Sequence, residues 1–133
     1  MIFLDTNIIL RFVLNDHPFY SVNASIILNK IDQGKEKIYL SWLVIFEVVF
    51  VLQNSHGLKR NEIAQKLLPI LSLENVLFEQ KKLLNLTFEY YVSKNISLAD
   101  AYHTTLMTQK KIHKIYSFDR DFDKFPQIKR LVA

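Results

Sequence analysis

With 133 residues, half of them hydrophobic and only two of them glycine, the chain is sized for one domain with a buried core and no flexible linker. The absence of cysteine excludes a disulfide scaffold and thiolate metal sites, and it agrees with a reducing compartment. A formal charge of +4 and a pI near 9.3 point weakly to a polyanionic partner.

Met1–Leu4 reads as a short buried strand that stops at Asp5-Thr6-Asn7, and a helix follows at once on Ile8, Ile9, Leu10, Phe12, Val13 and Leu14. Asp16-His17-Pro18 breaks it. A second helix is expected over residues 18–32, with Val22, Ile26, Ile27 and Ile31 inward and Gly34 beyond its end. Residues 37–41 form a second strand and 42–55 a nearly all-apolar helix. That helix belongs to the sixteen-residue stretch Ile38–Gln53, too short for a membrane span of about twenty residues and interrupted by Glu47. Next come a helix over 60–72 with Asn61 as its cap, a strand over 75–78, and helices over 79–94 and 97–111. A strand over 114–117, a turn over 118–125 and an edge strand over 128–132 complete the chain. Strands alternating with helices of 10–15 residues imply a mainly parallel sheet of four to five strands, covered on both faces. The expected fold class is α/β, a three-layer single domain over 1–133, without a leader segment and cytoplasmic.

In an open α/β sheet, groups at the carboxyl ends of strands line the ligand site, so Asp5 is either a helix cap or a ligand. Glu47 is the only charge between Ser41 and Gln53, and its helical neighbours are Leu43, Val44, Phe50 and Val51. It is therefore expected to be buried and to need a proton, a cationic partner or a metal. Asp100 stands in Ser97-Leu98-Ala99-Asp100, which also fits a capping box. In the run Ser117–Asp123, Asp119 lies nearest its strand end, while Asp123 reads as a solvated turn acid.

One arrangement accounts for Asp5, Glu47, Asp100 and Asp119 together: a carboxylate cluster at the carboxyl edge of the sheet. Such a cluster needs raised pKa values or bound cations, and all-oxygen ligation favours Mg²⁺ or Mn²⁺. Setting aside these four and Asp121 leaves eight acids against seventeen Lys and Arg, a remaining surface of +9. An acidic metal centre in a basic protein is the charge pattern of a nuclease.

In Leu4-Asp5-Thr6-Asn7 with Arg11, Ser41–Glu47, Leu98-Ala99-Asp100-Ala101 and Ser117–Phe122, the chain resembles the PIN-domain nucleases. The resemblance is closest to the small VapC-like toxin ribonucleases of toxin–antitoxin pairs. It implies a metal-dependent endoribonuclease in which Asp5, Glu47, Asp100 and Asp119 hold Mg²⁺ or Mn²⁺, with Asp121 as the alternative acid of the last motif. It also implies supporting roles for Asn7, Thr6 and Ser117, an RNA substrate, a cognate antitoxin and a homodimer. A haloacid-dehalogenase-type phosphohydrolase would need a second aspartate where this chain has Asn7. A non-catalytic RNA-binding module finds no support in an RNP-like motif or an aromatic-rich strand.

Overall fold

A computed structural model describes residues 1–133, which form two compact units, Met1–Lys81 and Lys82–Ala133.

In the first unit, β1 (Ile2–Phe3) pairs in parallel with β2 (Ile38–Tyr39), and β2 with β3 (Val76–Leu77). Each strand is prolonged by a further bond, Leu4 N–H to Tyr39 O at 2.9 Å and Leu40 N–H to Leu77 O at 3.0 Å. Parallel strands need crossovers, and helices supply them. Helix α1 (Thr6–Leu14) ends at Asn15, whose φ of +48° suits a short polar residue. His17 starts α2 (Tyr20–Asp32): its Nδ1 accepts from the Phe19 and Tyr20 N–H groups at 3.2 and 2.9 Å.

The buried stripe of α2 is Ser21, Ala24, Leu28 and Ile31, whereas Val22 and Ile26, expected inside, are exposed. Small residues let α2 approach α1 closely, and the larger apolar residues on its other side are left outward. Ser41 accepts the Val44 N–H and starts α3 (Trp42–Phe50), which relaxes into a single π-helical turn over Val51–Ser55. Helix α4 (Arg60–Leu71) is not capped by Asn61; the Glu62 carboxylate accepts the Lys59 N–H at 3.3 Å instead. Trp42 fixes the start of α3 by donating its indole N–H to Glu79 O at 2.7 Å.

In the second unit, α5 (Leu84–Ser93) packs on α6 (Leu98–Gln109) around Phe88, Tyr91, Ala101 and the bonded Thr87 and Thr105 hydroxyls, 2.9 Å apart. Burying Phe88 and Tyr91 is worth about 1.5–3 kcal/mol each, while the paired hydroxyls avoid a desolvation loss. Helix α6 closes with the Ile112 N–H on Met107 O at 2.8 Å, which places Lys111 in the left-handed region at φ +57°. Strand β4 (Lys114–Tyr116) pairs in parallel with β5 (Lys129–Leu131), and a 3₁₀ turn over Arg120–Lys124 lies between them. On one face of this pair Arg130 lies under the turn, bound twice to Asp123 and once to Ser117 O.

The α/β class with parallel strands is as expected. The strand count is not: one sheet has three strands and the other two, instead of four to five together. Strands of two or three residues offer few ladder bonds with which to build a wider sheet. No helix is long and apolar enough to cross a membrane.

Candidate active site

The first unit carries the candidate residues Asp5, Thr6, Asn7 and Glu47. Asp5 follows β1 at the N-cap position of α1, with extended φ and ψ of −88° and 159°, yet its side chain makes no capping bond. The carboxylate is exposed and free to take a ligand. Nor does Thr6 cap the helix; its buried hydroxyl donates to Glu47 Oε2 at 2.9 Å and ties α1 to α3. Asn7 is exposed.

Glu47 corrects an expectation. It is exposed, not trapped in the core, and its neighbours Leu43 and Phe50 are 72% and 65% exposed. An all-apolar helix has no polar stripe to mark its outer side, so composition overstated the burial. Trp42, Ile45, Val48 and Val49 face inward, and Glu47 stands in the outer stripe between two apolar side chains. Its partner is the Thr6 hydroxyl, with no Lys or Arg involved.

The second unit carries Asp100, Ser117, Asp119 and Asp121. Ser97 Oγ accepts the Asp100 N–H at 3.1 Å, so the capping reading of this motif holds for the serine and fixes Asp100 in the first turn of α6. Ser117 Oγ accepts the Asp119 N–H at 3.0 Å, and Asp119 Oδ1 accepts the Asp121 N–H at 2.9 Å. These bonds wind the chain after β4 so that Asp100, Asp119 and Asp121 each offer an oxygen within 4.8 Å of the others. Asp123 lies outside the group, held by Arg130 as a surface pair.

Burial pushes the Asp100 carboxyl above its ordinary range; the Ser97 hydrogen bond opposes this, and the charge of Asp119 adds to the rise. Crowded oxygens of this kind, with no thiolate among them, suit a hard cation such as Mg²⁺ or Mn²⁺. Asp121 is partly neutralised by Lys124 at 3.1 Å. His103, one turn after Asp100, brings Nδ1 to 4.0 Å from Asp100 Oδ1. It was not singled out from the sequence, although Asp-x-x-His on a helix puts both side chains on one face.

The PIN domain pattern matches residues 2–128. The chain belongs to the PIN-domain family. Two curated relatives are similar over 98% of this chain and 99% of their own length at 28% identity: VapC ribonuclease Mb1869c of Mycobacterium bovis and Ribonuclease VapC13 of Mycobacterium tuberculosis. The acidic motifs described above lie within the matched PIN region.

Proposed function

We propose that this PIN-domain chain is a metal-dependent endoribonuclease, the toxin of a VapC-like toxin–antitoxin pair. The observation that carries the reading is the convergence of Asp100, Asp119 and Asp121 oxygens within 4.8 Å in a protein of net charge +4. The full-length similarity to two VapC ribonucleases supports it. Residues 1–133 are read as one PIN domain, with metal-holding roles for Mg²⁺ or Mn²⁺ assigned to Asp5 and Glu47 in the first unit and to Asp100 and Asp119 in the second. Asp119 is favoured over Asp121, whose charge is shared with Lys124.

When bound, the ion would supply an activated water and stabilise charge on the phosphoryl group under in-line attack. The chain's own residues do the positioning. Thr6 orients the Glu47 carboxylate, Ser97 sets the start of α6 and with it Asp100, and Ser117 sets the backbone at Asp119. Burial raises the proton affinity of Asp100 and the charge of Asp119 adds to this, so a cation bound there would compete with a proton. A cognate antitoxin, a homodimer and a cytoplasmic location complete the proposal.

The test is cleavage of RNA by the purified chain with Mn²⁺ or Mg²⁺, giving 5′-phosphate ends and stopping with EDTA. Losing an outer partner of a metal ligand costs about 10–100-fold, so Asp119→Asn and Asp5→Asn should lose at least that much activity. Equal cleavage by folded variants and parent would overturn the site.

A further inference from the structure

The face of the β4–β5 pair opposite Arg130 is chemically patterned, and all its side chains but the half-buried Leu131 are exposed. Lys114 and Lys129 sit directly across from each other at its start. Side chains alternate along a strand, so Tyr116 shares the face of Lys114, and Phe118 follows in the bend just past the strand end. Tyr116 is 77% exposed and Phe118 88%. Neither aromatic side chain has a ring, hydrogen-bonding or charged partner, and neither lysine is in an ion pair. Lys110, Lys111 and His113, all exposed, extend the cationic end. At the other end the chain runs straight into Asp119 and the carboxylate group.

Like charges placed opposite each other in a sheet cost stability, and a large exposed aromatic leaves apolar area in water. Both become favourable against a single-stranded polyanion that carries flat bases. A second copy of this chain, whose cationic end a two-fold contact could set against the other copy's acidic end, is the competing occupant that sedimentation tests below. Duplex RNA hides its bases, whereas unpaired bases stack on aromatic rings. At about 3.3 Å per residue, Lys114 to Tyr116 spans roughly 7 Å, the run of about two stacked nucleotides, and Phe118 follows beyond the strand end.

We propose that this face is a strip for single-stranded RNA: Lys114 and Lys129 hold phosphates, and Tyr116 and Phe118 stack bases next to the acidic group. Tyr116 is the one aromatic of β4 and Phe118 follows it, and their exposure is visible only in the fold. The proposal deepens the nuclease reading and rests on it, and its test separates binding from cleavage.

A fluorescein-labelled, unstructured oligoribonucleotide is titrated with the full chain in EDTA, followed by anisotropy, beside a separate cleavage assay of the parent protein with Mn²⁺. Tyr116→Ser and Phe118→Ser should each weaken binding about 5- to 100-fold, and Tyr116→Phe should retain it. Lys114→Gln and Lys129→Gln should each lower the slope of log affinity against log salt by about 0.7. Circular dichroism checks that the variants fold, as exposed positions permit.

If the parent cuts RNA but the serine variants bind it unchanged, the strip is overturned and the nuclease reading stands. If the parent neither binds nor cuts RNA, both fall. Unchanged RNA binding together with loss of a dimer in sedimentation would mark the face as a contact between copies and overturn the strip. Equal affinity for duplex RNA would overturn the stacking role.

Discussion

At the scale of single residues, the two most informative acids turn out to sit in opposite environments to those their sequence neighbours suggest. Glu47 is exposed and accepts one hydroxyl bond, which an amide oxygen can also accept. Glu47→Gln should therefore change stability by less than about 0.5 kcal/mol in metal-free buffer while abolishing Mn²⁺-dependent cleavage. A larger loss in thermal melts would mean that its negative charge is structural. Asp100 is the reverse case, an ordinary capping motif whose carboxyl is held above the usual 3.8 by burial, with the charge of Asp119 adding to it. The native state therefore binds this proton more tightly than the unfolded chain. That stability is full below the unfolded value and is lost as pH rises through the folded one. In EDTA, Asp100→Asn should raise the melting temperature near neutral pH and flatten its decline above about pH 4. A decline as steep as the parent's would remove Asp100 as its source.

Elements were legible to the extent that their sequences carried a period or a cap. The Ser97 cap of α6 was readable because a short hydroxyl precedes a helical pattern, and the structure shows the bond. Ser97→Ala should cost about 1 kcal/mol in urea unfolding, and it should also lower activity by loosening Asp100. Unchanged stability would mean the bond is matched by water. The existence and order of the helices followed from apolar periodicity, but the buried side did not. In α2, the signal from Val22 and Ile26 lost to the closer approach that Ser21 and Ala24 allow. In α3, nearly every residue is apolar, so nothing in the sequence said which side of the helix Glu47 would take. His17, which caps α2 through its ring nitrogen, was invisible because histidine is not a residue one looks to for capping.

Across the whole molecule, the candidate site was legible as motifs and illegible as geometry. Asp100, Asp119 and Asp121 come together through hydrogen bonds of Ser97, Ser117 and Asp119 to backbone N–H groups, which spacing alone does not reveal. The division of the strands between a three-stranded and a two-stranded sheet was equally hidden, since such short strands barely register as runs of residues. Charge was readable in total and as runs along the chain, but not as faces: Lys114 and Lys129 come opposite each other only through the β4–β5 pairing. With phosphate contacts in play, cleavage at low substrate concentration should fall steeply as salt rises. A flat salt profile of kcat/KM would indicate recognition that bypasses the lysines.

The turn that closes α6 carries one more implication. A left-handed residue in that position is most comfortably glycine, and a side chain there costs about 1 kcal/mol. This chain has Lys111 at φ +57°, beside Lys110 and ahead of Lys114. Lys111→Gly should make the protein harder to melt by about 1 kcal/mol while weakening its hold on RNA. The residue would then be a local trade between durability and grip, in which a helix end carries backbone strain so that a cation stands at the edge of the strip.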